Sequence, residues 1–243
     1  MSIAACKNCN NITLENYCSN CGQSVTTHRI DAHYFLHDIP HSILHVDKGF
    51  PFTFKQLLLS PAKVLQEYLE GKRVKIFRPL AYVVLMSALC SVLINLIRNW
   101  DIAGHSVATA ENIAEYQSFF SQYQSLFIFL MIPAASICTY MVFKKSQYNF
   151  WEHVLINTYL AAQLNVLLVL IQLCLVLNLF ASQSLFFSLL IFMTFFMTYY
   201  AITFSGLMIR EIKGWELGIR LSVMCFVLAT VYATAISLSG LLR

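Results

Sequence analysis

The sequence predicts an all-α membrane protein: about five transmembrane helices, preceded by a small cysteine-rich domain and amphipathic surface helices. Three observations carry that expectation. The chain has 243 residues, 58% hydrophobic and 12% charged, against roughly 25% charged in an average soluble domain. Its apolar residues fall in long runs, and about 20 helical residues cross a hydrocarbon core of about 30 Å. Every recognisable motif and most of the charge lie before Pro79. Disorder and most soluble folds are excluded.

The domains expected are residues 1–27, 28–78 and 79–243: a compact cysteine unit, a His-rich and amphipathic juxtamembrane region, and a membrane domain. The spans fall at about 80–97, 126–143, 154–181, 185–209 and 221–242. Pro79 sits where a helix start tolerates proline, and Pro133 should kink the second span. The third is long enough to tilt, and only Ser182-Gln183-Ser184 divides it from the fourth. With five spans, fourteen of the sixteen Lys and Arg residues lie on one side and only Arg98 and Arg243 on the other. The cytoplasmic side carries the excess, so the N-terminus is expected inside and the C-terminus outside. Met1 to Ala5 is too short for a signal peptide, and no apolar segment precedes Cys6 as a lipoprotein site requires.

Two segments should lie along the membrane surface. Ser60-Pro61, then Val64, Leu65, Tyr68 and Leu69, then Gly71, has the cap, first-turn proline, apolar stripe and terminal glycine of a short helix. The basic cluster that follows, Lys72, Arg73, Lys75 and Arg78, can attract lipid headgroups at about 1 kcal/mol per cation, or serve as ordinary positive-inside anchors. In the outer loop, Ile113, Tyr116, Phe119 or Phe120, and Tyr123 recur at helical spacing and suggest an interfacial helix.

Cys6-x2-Cys9-x8-Cys18-x2-Cys21-Gly22 is the strongest local signal. Two Cys-x2-Cys knuckles supply four thiolates for a closed tetrahedral site suited to zinc. Such a site leaves no position for water, so its work is structural, and in so short a segment it supplies most of the folding free energy. Two disulfides are disfavoured on a reducing side; an iron–sulfur cluster is the other alternative. Lys7 is the lone basic residue before Arg29, which argues against nucleic acid as a partner. Cys90, Cys138, Cys174 and Cys225 are scattered through apolar runs and read as small core residues.

His28, His33, His37, His41 and His45 fall within 18 residues, the last four at intervals of four, with Asp38 and Asp47 among them. His-x3-His lets two imidazoles share a metal from one helix, so His37, His41, His45 and Asp47 form a candidate second metal or proton site. Pro40 divides the segment. The plainer reading places these histidines among the headgroups as hydrogen-bonding residues. On the spans, Asn157, Asn165 and Gln172 share one stripe, and Ser87, Ser91 and Asn95 another. Interhelical hydrogen bonds of about 0.6–2 kcal/mol explain these; a polar pathway is the sharper reading. No ionisable residue lies deep in the span cores, and no repeat signature of secondary transporters is visible. Nucleophile-elbow, P-loop and dinucleotide motifs are lacking.

Taken in order, Cys6-x2-Cys9, Tyr17-Cys18-x2-Cys21-Gly22-Gln23, Arg29, His41-x3-His45-x-Asp47-Lys48-Gly49, Leu57-x3-Pro61 and Tyr68-x2-Gly71-Lys72-Arg73 with Pro79, joined by Trp151-Glu152-His153, form a set. The set resembles a bacterial family of multi-pass membrane proteins with an N-terminal zinc ribbon, of unknown function. The resemblance covers roughly residues 6–79 and implies a bacterial inner-membrane location, a cytosolic ribbon and no particular activity. The first expectation is therefore a non-enzymatic scaffold or partner-recruiting membrane protein, with membrane lipids and an unidentified protein as partners and room for homo-oligomers. A small-molecule or lipid transporter, and a metal-dependent membrane enzyme using the His/Asp cluster, are the alternatives.

Overall fold

A computed structural model describes residues 4–35, 49–100, 128–177 and 185–241. At the N-terminus, β1 (Ala4–Ala5) and β2 (Ile12–Thr13) pair antiparallel, with Ala4 opposite Thr13 and Ala5 opposite Ile12. The rest is helical: α1 (Phe50–Leu59), α2 (Pro61–Leu69), α3 (Pro79–Trp100), α4 (Ile128–Val142), α5 (Phe150–Val176), α6 (Leu185–Met208) and α7 (Gly214–Leu241). Four of them, α3, α5, α6 and α7, are long and apolar enough to cross a membrane, consistent with a multi-pass membrane protein. The described part of α4 is shorter, 15 residues, and runs on through Pro133.

Two of the helices extend beyond the apolar stretches that the sequence marks as spans. α5 begins at Phe150, not Val154, and its described helix ends at Val176; α7 begins at Gly214 rather than Leu221. The first turns carry charged residues that hydropathy excludes from a span, yet each is satisfied locally. Asn149 and Glu152 cap one another, Glu152 N–H donating to Asn149 Oδ1 at 2.9 Å and Asn149 N–H to Glu152 Oε2 at 2.7 Å, and Glu216 pairs with Arg220 one turn on at 2.6 Å.

A helix not anticipated, α1, precedes the expected one. Pro51 stands in its first turn, where a missing N–H costs nothing. Pro61 ends it, holding Ser60 at φ −150°, and opens α2. Ser60 was expected to cap α2 through its hydroxyl, but its side chain makes no capping bond. At the far end Gly71 adopts φ +101°, with Gly71 N–H bonded to Tyr68 O at 3.1 Å and Lys72 N–H to Glu67 O at 2.9 Å. This is the Schellman closure that a terminal glycine permits.

α5 is the central helix: two thirds of its apolar window is buried (67%), against 17% for α7. It packs most extensively on α3. Its polar residues bond to neighbouring helices. Gln163 Nε2 donates to Tyr82 Oη at 2.6 Å, Asn165 Nδ2 to Ser87 Oγ at 3.1 Å, and Asn157 Nδ2 to Thr139 Oγ1 at 2.9 Å, while Tyr200 Oη donates to Asn157 Oδ1 at 3.0 Å. The Asn165–Ser87 bond joins the two polar stripes read from sequence as interhelical glue. At one end of the bundle Tyr68, Tyr82 and Tyr159 pack ring to ring, with Phe50 and Phe77 completing the cluster. α2 lies against α6 where Gly206 faces Ala62, with no space for a Cβ.

Candidate metal centre and its attachment to the membrane helices

The four N-terminal cysteines converge: the sulfurs of Cys6, Cys9, Cys18 and Cys21 all lie within 4.8 Å of one another. Cys6 Sγ is 3.5 Å from Cys21 Sγ, and Cys9 Sγ 3.5 Å from Cys18 Sγ. All four are free thiols rather than disulfides. Zinc–sulfur bonds of about 2.3 Å in a tetrahedron separate the sulfurs by roughly 3.8 Å, so the donor set and its spacing suit a metal ion such as zinc.

The two knuckles are the same structure repeated after twelve residues. Cys6 N–H bonds Asn11 O at 2.9 Å and Asn10 N–H bonds Cys6 O at 2.8 Å; Cys18 N–H bonds Gln23 O at 2.9 Å and Gly22 N–H bonds Cys18 O at 2.8 Å. The corner after each second cysteine is left-handed, Asn10 at φ +59° and Gly22 at φ +74°, residue types that tolerate that region. Ala5 pairs with Ile12, and Tyr17 with Ser24, at the same interval. This repeat is readable in the spacing and is missed when only the cysteines are counted.

The thiols are not equivalent. The Cys21 backbone N–H directed at Cys18 is the main influence lowering the Cys18 thiol to about 6. Burial pushes Cys21 up to about 11.

The segment leaving the second knuckle is tied to the helices. Gln23 Nε2 donates to Gly71 O at 2.7 Å, and Gln23 Oε1 accepts Arg73 N–H at 3.0 Å. A Cβ on Gly71 would stand 2.9 Å from Lys7 Cδ and 3.2 Å from Thr27 Oγ1, so the glycine serves both the turn and the close approach. Lys7 Nζ donates to Thr27 O at 2.9 Å. Arg29 grips α5 through both carboxylate oxygens of Glu152, at 2.9 and 2.8 Å, and also donates to Gln147 O. The hydrogen bonds to Glu152 raise the Arg29 pKa above its ordinary value. Asn149 Nδ2 donates to Ile30 O at 2.9 Å.

The basic cluster divides. Arg73 is committed to the protein: its guanidinium lies 5.2 Å from the rings of both Tyr34 and Tyr68 and donates to His28 O at 3.0 Å. Lys72 pairs with Glu70 at 3.3 Å. Lys75 and Arg78 are exposed and make no ion pair among the described residues. His37, His41, His45 and Asp47 lie outside the described residues, as does the outer-loop stretch 113–123. Of the five clustered histidines His28 and His33 are described, and neither joins the cysteines.

Sequence reading placed Asn157 on a polar stripe and His153 in a motif but did not bring them together in one buried cluster. His153, Thr139, Asn157 and Tyr200 join α4, α5 and α6, with His153 Nδ1 3.2 Å from Thr139 Oγ1. The His153 ring stacks on Phe204, and its Nε2 has no hydrogen-bond partner among the described residues.

Residues 47–90 match the model of a family described as a protein of unknown function, DUF3667. The match takes in α1, α2, the basic turn and the first half of α3, and begins after the cysteines and the histidines. No curated protein and no solved structure matches the chain. The match to a family of unknown function and the four apolar helices of span length together fit an integral membrane protein of unknown activity.

Proposed function

We propose that the protein is a non-enzymatic scaffold of a bacterial inner membrane, in which a zinc ribbon on the cytoplasmic side presents a fixed surface to a protein partner. One observation carries this reading. The residue two places beyond the last cysteine, Gln23, bonds the Gly71–Arg73 turn from both ends of its carboxamide. A closed four-thiolate site leaves no position for substrate or water, and a ribbon bonded to the helices acts as a rigid part of the membrane domain. The distribution of Lys and Arg supports a cytoplasmic N-terminus. Lys75 and Arg78 remain available to anionic headgroups. Hydrogen bonding of Asn165 to Ser87 favours the scaffold over a transporter with a polar pathway between those helices.

Elemental analysis of the detergent-purified chain tests the reading. One zinc per chain, lost in Cys18→Ser/Cys21→Ser and kept in His41→Ala/His45→Ala, is the expected result. A second metal lost only with the histidines would instead favour a metal-dependent enzyme acting at the membrane surface.

A further inference from the structure

We propose that the α1–α2 hairpin is an intramembrane wedge: the outer face of α1 contacts lipid acyl chains below the headgroups of the leaflet in which α6 ends. The argument starts from the pattern of exposure on α1. Leu57 and Thr53 face the protein and are fully buried, whereas Phe52, Leu58 and Leu59 are 38%, 50% and 67% exposed. A ten-residue helix presenting Phe and two Leu outward is costly in water, at about 25 cal/mol per Å² of apolar surface.

Depth is given by one hydrogen bond. Tyr199 Oη donates to Leu57 O at 2.9 Å. Tyr199 stands nine residues before the end of α6 at Met208, beyond which come Arg210 and Lys213. At 1.5 Å per residue that is roughly 13 Å along the axis from the charged end, and helical side chains lean toward the N-terminus, here away from that end. The last turn of α1 therefore sits within the hydrocarbon of a leaflet about 15 Å deep. α2 then returns toward the surface, its Ala62 against Gly206, two residues from the end of α6.

The occupant of the outer face follows from continuity. Phe195 and Ile202, one turn to either side of Tyr199, are 59% and 57% exposed, and on a membrane span such residues face lipid. Leu57 is bonded between them, so the lipid-facing surface of α6 passes directly onto Leu58 and Leu59. Lys55 is exposed on the same side of α1, and its long stem can carry the ammonium up to the headgroups. The hairpin thereby broadens the molecule within one leaflet only.

The inference rests on α6 being a span, and photocrosslinking of the full chain in phosphatidylcholine/phosphatidylglycerol vesicles separates the two. p-Benzoylphenylalanine is placed singly at Phe52, Leu59, Ile202 and the exposed α2 residue Lys63, and adducts are read by intact mass. Lipid adducts at 52 and 59 comparable to that at 202, and lost at 63, are expected. A crosslinked dimer at 59 would overturn the proposal in favour of a second copy on this face. No adduct at 59 with lipid at 202 would overturn the wedge alone, and no lipid at 202 would overturn the span and the wedge together. Hydroxyl-radical footprinting of the unsubstituted chain in the same vesicles gives a check free of folding defects: Leu58 and Leu59 should be protected, and their modification would overturn the proposal.

Discussion

The guanidinium of Arg29 meets both carboxylate oxygens of Glu152, 123 residues away, and joins the segment after the cysteine ribbon to the first turn of the central helix. Arg29 is largely exposed, but the Glu152 side chain is only 6% so. Removing the arginine leaves a buried carboxylate still held by Asn149 N–H at 2.7 Å. Arg29→Gln should cost about 1–3 kcal/mol, toward the lower end because water reaches the arginine. Thermal unfolding in detergent measures the loss, and chymotryptic cleavage at Tyr34 and Phe35 should quicken with it.

Zinc in the four-thiolate site would supply most of the folding free energy of so short a segment, so chelation should open the ribbon and expose thiols that the fold buries, Cys6 and Cys18 among them. Alkylation by iodoacetamide, mapped by peptide mass before and after chelation, should rise at all four cysteines together.

Gly206→Ala should destabilise the packing of α2 on α6, because the new methyl has no room beside Ala62. Overpacking of this kind costs about 1–3 kcal/mol. Ala62→Gly in the same chain should recover most of it, and a double-mutant cycle of thermal unfolding checks the coupling.

Within the buried cluster, Tyr200→Phe removes a single interhelical bond and should cost about 0.6–1.7 kcal/mol. Asn157→Leu leaves the hydroxyls of both Tyr200 and Thr139 without their amide partner and should cost more, about 1–3 kcal/mol for a stranded group. Unfolding by denaturant in mixed micelles ranks the two.

The cysteine knuckles and the long apolar helices were legible because each is a local pattern. Thiolates at Cys-x2-Cys spacing and runs of Leu, Phe and Ile declare themselves within a few residues. The helix over Pro61–Leu69 and the glycine after it were equally local. The attachment of ribbon to helices was not, since Gln23, Arg29, Gly71 and Glu152 gain their roles from contacts 48 to 123 residues distant. Arg73 could be read as a membrane cation because its charge is visible in sequence, whereas the tyrosine rings flanking it are visible only in the fold. α1 escaped notice because its outward residues are as apolar as its inward ones, which erases the periodicity that marks an amphipathic helix.

The distance along the chain between the ribbon and its anchors sets an order of assembly. All four cysteines are synthesised before Gly71, and more than a hundred residues before Glu152. At 5–20 residues per second the wait for Glu152 is on the order of ten seconds. During that interval Gln23 can bond the Gly71–Arg73 turn while Arg29 still lacks Glu152, so the ribbon gains one of its two anchors before the central helix is made. A chain arrested between residues 71 and 152 would therefore carry a metal-competent ribbon bonded to its basic turn through Gln23, yet still unlatched from the helix that later becomes the centre of the bundle.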